Sequence, residues 1–330
     1  MRAVRAGPQT TQACSREHVP MALNQINAVI LVGGPGQSSL REIAGHPVSL
    51  LPIPGAPYFL YAWLETLLKV DAVNKVDVLT GRPEDIRVLT AATSQWDAQH
   101  LGQTGVYADH ENHRGTAGAL KDFVTSLEYT GDLLVIEGNR IPPHNPNLLF
   151  HSDYDRKDVI GSLGRTANFG PSGMILMKKR MLDLVPEIGF FDLKEQLIPR
   201  ALERGERIIV RQIGGEGERL SDAESYKECV RQMGRQLGGG LASGPWVSED
   251  SEVHPSALVG KGTLIAGSAT IERDVVTENS VILDGVVIGH NSLIVDSIIR
   301  QGSHIPSDTK VIRGTVYKKH ETLVKNGTGS

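Results

Sequence analysis

Residues 247–271 read "VSEDSEVHPSALVGKGTLIAGSATI" and carry an aliphatic side chain at every sixth position. This first series consists of Val247, Val253, Val259, Ile265 and Ile271. A five-residue step leads on to Val276, Ile282, Ile288 and Ile294, and a second five-residue step leads to Ile299, Ile305 and Val311. Small residues and glycines fill the intervals, and no helical period is present. Hexapeptide repetition of this kind predicts a β-helix, in which each coil stacks an aliphatic side chain on the preceding one.

The part of the chain before these repeats alternates short apolar segments with amphipathic ones. Strands are predicted at 28–32, 75–80, 132–137, 159–163, 173–177 and 207–213, and helices at 57–70, 83–96, 116–128, 192–204 and 222–236. This alternation predicts βαβ units and a mostly parallel sheet that is covered by helices on both faces. Ligands of such sheets bind outside the carboxyl ends of the strands, which here include residues 33–38 and 137–140.

The glycine-rich segment "RQLGGGLASGP" (235–245) separates the two patterns. We therefore predict an N-terminal extension, an α/β domain, a linker, a β-helix and a tail, with the bounds 1–25, 26–235, 236–246, 247–315 and 316–330. The extension lacks the apolar stretch of a secretory signal. We predict that it is disordered, with Met21 as an alternative start, and a targeting peptide is the other interpretation.

Composition excludes several classes of partner. A formal net charge of −4 argues against a nucleic-acid-binding protein, which is usually basic. The chain has two cysteines, too few for a disulfide framework and without metal-ligand spacing, so we expect a reducing cytoplasm. No apolar stretch approaches the length of a membrane-spanning helix, so we expect no membrane partner.

Two motifs resemble those of a known family. Residues 33–57, "GGPGQSSLREIAGHPVSLLPIPGAP", align without a gap with Gly-Gly-x-Gly-Thr-Arg-Leu-x-Pro-Leu-Thr, three further residues, and Pro-Lys-Pro-Leu-Leu-Pro-Val-x-Gly-Lys-Pro. Residues 115–123, "GTAGALKDF", resemble a Gly-Thr-Ala-Gly-Ala-Leu segment of the same family. With the hexapeptide repeats, these motifs resemble the sugar-1-phosphate nucleotidyltransferases, especially mannose-1-phosphate guanylyltransferases and glucose-1-phosphate nucleotidylyltransferases, over about residues 26–315.

The resemblance implies a Rossmann-like nucleotidyltransferase domain followed by a left-handed parallel β-helix. In this family a sugar phosphate attacks the α-phosphate of a nucleoside triphosphate, and pyrophosphate leaves. Such transfer depends on positioning and on neutralisation of charge, which the family provides through loop cations and two aspartates that hold Mg²⁺. The nucleotide-binding residues implied by the resemblance are Gly33, Gly34, Gly36, Gln37, Gly115, Thr116, Ala117 and Gly118.

The charged positions of the family motifs are altered in this chain. The loop arginine falls on Ser38, and the two lysines fall on Val48 and Ala56. The metal-binding aspartates fall on Asn139 and Arg219. The Glu-Lys-Pro segment that contacts the sugar in the family has no counterpart here. Since loss of one preorganised donor typically costs about 10²–10³ in rate, we predict little or no conventional catalysis.

Other residues are candidates for replacing the missing charges. Five cations are near the motifs or the strand ends, namely Arg41, Arg114, Lys121, Arg140 and Arg219. Solvated or paired surface cations are the alternative interpretation of all five. Glu137 with Asn139 offers a minimal Mg²⁺ site, with a single carboxylate. The segment "DHENH" (109–113) is interpreted as a polar loop, because its spacing fits no zinc pattern.

These observations leave three hypotheses for function. In the first, the protein is a degenerate sugar-1-phosphate nucleotidyltransferase homologue, weakly active or inactive, which binds a nucleotide or nucleotide-sugar or regulates an active nucleotidyltransferase subunit in nucleotide-sugar or polysaccharide biosynthesis. In the second, it is a working transferase with rearranged charges, and Mg²⁺ is its cofactor. In the third, it is a structural assembly module. We expect a homo-oligomer in each case, because the β-helix has flat sides and an open end.

Overall fold

The computed structural model describes residues 26–33, 38–100, 104–109, 114–215, 217–237, 244–316 and 324–325. The predicted N-terminal extension and Met21 lie outside these residues. So do the predicted nucleotide-binding residues Gly34, Gly36 and Gln37, and residues 110–113 of the "DHENH" segment. The middle of the linker and most of the predicted tail also lie outside them.

A seven-stranded sheet forms the centre of the first domain. Its strands are β1 (Ile26–Val32), β2 (Val73–Thr80), β3 (Thr104–Ala108), β4 (Asp132–Glu137), β5 (Val159–Arg165), β6 (Pro171–Met177) and β7 (Arg207–Gln212). Their order is β3-β2-β1-β4-β6-β5-β7, and only β6 runs antiparallel to its neighbours. The prediction of a mostly parallel sheet is therefore confirmed. The sequence analysis missed β3, an edge strand whose residues are all half-buried.

Six α-helices surround the sheet. They are α1 (Ser38–Ala44), α2 (Phe59–Leu68), α3 (Ile86–His100), α4 (Gly115–Ser126), α5 (Ile198–Glu203) and α6 (Ala223–Leu237). A π turn, Leu193–Leu197, leads directly into α5. All five predicted helices are present, and α1 was not predicted. Within the described part of the chain, none of the helices has both the length and the apolar composition needed to cross a lipid bilayer.

Alternate side chains of the strands enter two different cores. In β1, Ile30 belongs to the same buried cluster as residues of α1, α2, α3 and α6, whereas the neighbouring Val29 belongs to a second cluster with residues of α4 and α5. Both side chains are fully buried. A strand that is covered on both faces is apolar along its whole length, as the "AVILV" segment of β1 is.

The second domain is a parallel β-helix, as predicted, and its strands form three sheets. The first sheet contains β8 (Trp246–Val247), β11 (Leu264–Ile265), β14 (Val281–Ile282), β17 (Ile298–Ile299), β20 (Gly314–Val316) and β21 (Val324–Lys325). The second contains β9 (Glu252–Val253), β12 (Thr270–Ile271), β15 (Val287–Ile288) and β18 (His304–Ile305), and the third contains β10 (Leu258–Val259), β13 (Val276–Glu278), β16 (Leu293–Val295) and β19 (Lys310–Ile312). Of these strands, β21 pairs antiparallel with β20 and belongs to the segment predicted as a tail.

The prediction that Val276 is an inward position of the β-helix is wrong. The inward position of β13 is Thr277, which is 1 % exposed, and Val276 faces outward. The pairing of Thr277 with Val259 and Ile294 places it in the stack. The five-residue step therefore lies after β13. At the corner that follows, Asn279 adopts a positive φ of 48°, and this left-handed residue turns the chain within the shorter step.

The two domains share a core. Outward side chains of the first β-helix sheet, including Leu264, Val281 and Ile298, belong to the same buried cluster as Tyr226 and Cys229 of α6. Thus α6 packs against the β-helix.

Candidate functional site

The turn after β4 and the chain before α6 meet at the carboxyl edge of the sheet. The amide of Leu220 donates to the carbonyl of Asn139 at 2.7 Å. Arg140 and Arg219 face each other across the same antiparallel bridge. This backbone pairing brings Asn139 and Arg219, which are distant in sequence, to adjacent positions.

Charged side chains converge at this edge around the last residue of β4. Arg140 Nε donates to Glu137 Oε2 at 2.7 Å, and Lys194, in the π turn before α5, forms an ion pair with the same carboxylate. We call Glu137, Arg140, Lys194 and Arg219 the Glu137 cluster. With one carboxylate and three cations, the cluster has a net charge of +2.

Two backbone contacts fix Arg140 in this position. Its guanidinium donates to the carbonyl of Gly217 at 2.7 Å, and its own carbonyl accepts from the indole N–H of Trp63 at 2.7 Å. Trp63 is fully buried in α2, so the core of the domain holds the backbone of the cluster.

The residues at this site differ in their exposure to solvent. Asn139 is 5 % exposed, and its Nδ2 has no hydrogen-bond partner among the described residues. Arg140 is 13 % and Lys194 40 % exposed, whereas Arg219 is exposed and makes no ion pair with any described residue. Burial lowers the pKa of Arg140 from its ordinary value. Burial also lowers the pKa of Lys194, and the charge of Arg219 lowers it further.

The chemistry of this donor set does not fit a magnesium ion. Mg²⁺ binds carboxylate and water oxygens, and the single carboxylate, Glu137, is already paired with two cations. A guanidinium offers no lone pair to a metal and repels it. Within the described ranges, the structure has no group of three or more His, Cys, Asp or Glu side chains that could hold a metal ion.

The start of α4 is the second candidate element. Gly115 has a φ of +75°, and the amides of Ala117 and Gly118 both donate to the carbonyl of Phe191, at 3.0 and 3.2 Å. The hydroxyl of Thr116 donates to Asp192 at 2.8 Å. In this arrangement the chain itself occupies two of the free amide donors of the helix start, which would otherwise be available to an anion.

The end of β1 lies close to the end of β2. Gly33 has a φ of +98°, and a Cβ atom at this position would lie 3.3 Å from the amide nitrogen of Gly81. Glycine is therefore favoured here both by the backbone conformation and by the limited space.

Comparison with known proteins gives two matches. A family model described as the GMPPB C-terminal domain matches residues 243–326. The mannose-1-phosphate guanylyltransferase of Mycobacterium tuberculosis is 23 % identical over 284 aligned positions, covering 77 % of this chain and 77 % of that protein. The match to the enzyme extends beyond the β-helix, because the β-helix alone is much shorter than the aligned region.

Both matches support the resemblance of this chain to the sugar-1-phosphate nucleotidyltransferases.

Relative to the motifs of that family, the differences predicted for this chain concern the charged positions. Asn139 and Arg219, which the motif alignment predicts at the two metal-binding positions, lie side by side in the backbone pairing. Val48, which the motif alignment predicts at a lysine position, is fully buried in the core of the first domain. Ala56, at the second lysine position, packs against the same core. Ser38 is the first residue of α1.

Three of the five predicted replacement cations are engaged elsewhere in the structure. Arg41 forms a two-pronged pair with the buried Asp85, at 2.6 and 2.7 Å. Lys121 pairs with Glu187 at 2.6 Å, and Arg114 contacts Asp122. Only the other two predicted cations, Arg140 and Arg219, lie in the Glu137 cluster.

Sequence reasoning missed Lys194. No family motif covers it, and it lies within a segment predicted simply as a helix. Asp192 accepts hydrogen bonds from the amides of Lys194 and Glu195, at 2.7 and 3.0 Å. A capping aspartate followed by a lysine was the available signal, but it points to a helix start rather than to a site.

Proposed function

We propose that this protein is a sugar-1-phosphate nucleotidyltransferase homologue with little or no transferase activity, which binds a nucleotide or nucleotide-sugar in the cleft at the carboxyl edge of its sheet. We further propose that it regulates an active nucleotidyltransferase. The supporting observation is the Glu137 cluster, in which cations surround one carboxylate next to Asn139 and Arg219.

Loss of the metal site would remove a main source of transition-state stabilisation in phosphoryl transfer. Phosphoryl transfer depends on Mg²⁺ and on cations that neutralise charge on the departing phosphates. The residues that align with two carboxylates and two lysines of the family are Asn139, Arg219, Val48 and Ala56. Removal of a single preorganised donor typically costs about 10²–10³ in rate, so even strongly non-additive losses would reduce turnover to a trace.

Other features support continued binding of a ligand. Arg219 is exposed and has no ion-pair partner among the described residues, and Lys194 is partly exposed beside it. Gly33 also keeps the backbone at the end of β1 close to Gly81, at the same edge of the sheet. A cleft with this charge attracts phosphate groups, whose usual partners are arginine, lysine and backbone amides.

The test of activity is an assay of pyrophosphate release. The purified full chain is incubated with Mg²⁺ and pairs of nucleoside triphosphate and sugar 1-phosphate, beginning with GTP and mannose 1-phosphate. The M. tuberculosis mannose-1-phosphate guanylyltransferase serves as the positive control. We expect no release above background from this chain under conditions in which the control turns over.

A definite release of pyrophosphate would contradict the proposal and favour the working transferase. Glu137→Gln would then show whether the remaining carboxylate supports that activity. Ligand binding is tested separately, by thermal shift with nucleotides and nucleotide-sugars. If no ligand raised the melting temperature, the structural assembly module would be favoured instead.

The regulatory part of the proposal has its own assay. The chain is mixed with an active transferase of the same organism, and complex formation is followed by gel filtration. The rate of nucleotide-sugar synthesis is then measured with and without this chain. Co-elution together with a changed rate is expected, and separate elution with an unchanged rate would reject regulation by direct contact.

A further inference from the structure

The Glu137 cluster occupies the place at which the family resemblance positions a metal ion. Two of its cations, Arg140 and Lys194, contact Glu137, and the third, Arg219, stands opposite Arg140 on the neighbouring strand segment. Fixed positive charge therefore lies where the resemblance implies carboxylates and Mg²⁺.

The cluster has more donors than its carboxylate can accept. Glu137 has two oxygens, and one cation contacts each of them. Arg219 has no ion-pair partner among the described residues, and the buried Nδ2 of Asn139 has no acceptor among them. The exposed carboxylates Glu195 and Glu218 lie within electrostatic reach of Lys194 and Arg140 respectively. They pair with neither of these cations.

Unused donors on buried and half-buried groups favour an anionic ligand with several oxygens. A buried polar group without a partner is costly, and charge-assisted hydrogen bonds to phosphate are among the strongest available. A guanidinium can bind two phosphate oxygens at once, and a lysine adds a point charge. A diphosphate provides both the charge and the number of acceptors that these groups lack.

We propose that the Glu137 cluster binds the diphosphate of a nucleoside diphosphate hexose directly, without a metal ion, and that Lys194 and Arg219 are its outer contacts. This inference rests on the proposed function, since it specifies how a cleft without turnover holds its ligand. It predicts a reversal of the usual dependence on Mg²⁺. A magnesium ion on the diphosphate neutralises the charge that the cluster attracts, so Mg²⁺ weakens binding.

The test is calorimetric titration of the full chain with nucleoside diphosphate hexoses, including GDP-mannose, and with inorganic pyrophosphate. Each titration is run once in excess EDTA and once in excess Mg²⁺. The variants are Lys194→Gln and Arg219→Gln, with Lys194→Arg as the conservative rescue. Arg204→Gln is the matched control, because Arg204 is an exposed cation before the amino end of β7, on the opposite edge of the sheet. Melting temperatures of all variants establish that they are folded.

We expect at least one nucleoside diphosphate hexose to bind with a dissociation constant in EDTA that is no larger than in Mg²⁺. A hydrogen bond to a charged group contributes about 1.5–3 kcal/mol, so each glutamine variant should raise the dissociation constant about 10- to 100-fold. Lys194→Arg should restore most of the affinity, and Arg204→Gln should leave it unchanged.

Three results would overturn the inference while leaving the proposed function intact. The first is that a nucleoside diphosphate hexose binds only when Mg²⁺ is present. The second is that both glutamine variants bind it with the affinity of the unaltered chain. The third is that pyrophosphate binds but no nucleoside diphosphate hexose does. Release of pyrophosphate in the Mg²⁺ assay described above would instead reject the proposed function.

Discussion

The contact between α6 and the β-helix includes a buried ion pair, Lys227 with Asp296. We expect replacement of Asp296 to lower the free energy of unfolding more than replacement of Lys227 does. The side chain of Lys227 is 4 % exposed, and its Nζ lies 2.5 Å from Asp296 Oδ1 and 3.0 Å from the carbonyl of Asp296. Glu224, a second partner at 2.9 Å, is 76 % exposed. The side chain of Asp296 is 27 % exposed and also accepts from Asn279 at 3.0 Å.

The replacement Asp296→Asn removes one charge and leaves Lys227 buried beside a neutral amide. Asparagine tolerates the left-handed backbone of this position, where φ is +51°, so the replacement isolates the loss of charge. Breaking a buried pair costs about 3–5 kcal/mol. The remaining contact with Glu224 and the partial exposure of Asp296 reduce our expected loss to about 2–3 kcal/mol.

The replacement Lys227→Met should cost much less. It removes the buried charge, and Asp296 keeps its amide partner and its access to water. We expect a loss within about 1 kcal/mol, since removal of a buried ionic group in favour of an apolar one is often nearly neutral. In the double variant Lys227→Met/Asp296→Asn, the loss should resemble that of Lys227→Met alone.

Urea unfolding followed by tryptophan fluorescence measures these free energies from the shift of the midpoint. Equal losses for the two single variants, or a double variant whose loss equals their sum, would refute the reasoning. The burial of Lys227 would then have no energetic importance, and the contact between domains would depend on its apolar part.

Three further predictions concern single positions. Gly115→Ala should destabilise the protein by about 1–3 kcal/mol in urea, because φ is +75° and the new Cβ would lie 2.7 Å from the carbonyl oxygen of Phe191; a midpoint equal to wild type would contradict this. Thr277→Val should raise the melting temperature, with a gain of about 1 kcal/mol, because the buried hydroxyl of Thr277 has no hydrogen-bond partner among the described residues; a lower melting temperature would show that the hydroxyl is needed. In a Cys14→Ser background, a thiol reagent should label Cys229 only after unfolding, because Cys229 is fully buried and burial raises the pKa of its thiol; labelling of the folded protein at the unfolded rate would refute this.

Periodicity in the sequence was sufficient to predict both domains. Inward aliphatic side chains recur at six-residue steps in the β-helix because each coil repeats the same three short sheets. The predicted series of inward residues was wrong only in β13. There a polar residue, Thr277, occupies the inward position, and its aliphatic neighbour Val276 was chosen instead. Edge strand β3 was missed because its residues are all half-buried and lack a clear alternation.

The candidate site was predictable only where a family motif supplied the alignment. The motifs identified Asn139 and Arg219 as altered metal positions, and the structure places them side by side. They gave no indication that Arg41, Arg114 and Lys121 would be engaged with Asp85, Asp122 and Glu187. A pairing between distant residues depends on the packing of whole elements, which one sequence does not specify locally.

By itself, the sequence determined the two architectures and the absence of the family's charges from their usual positions, because strand and coil periods and motif residues are local properties. The tertiary structure alone decided which cations remain available at the carboxyl edge of the sheet. Lys194 reaches Glu137 from the π turn before α5, and Arg219 reaches the same edge from the segment before α6. Electrostatic interactions act through space, so the charge at this edge of the sheet is set by which elements fold next to each other.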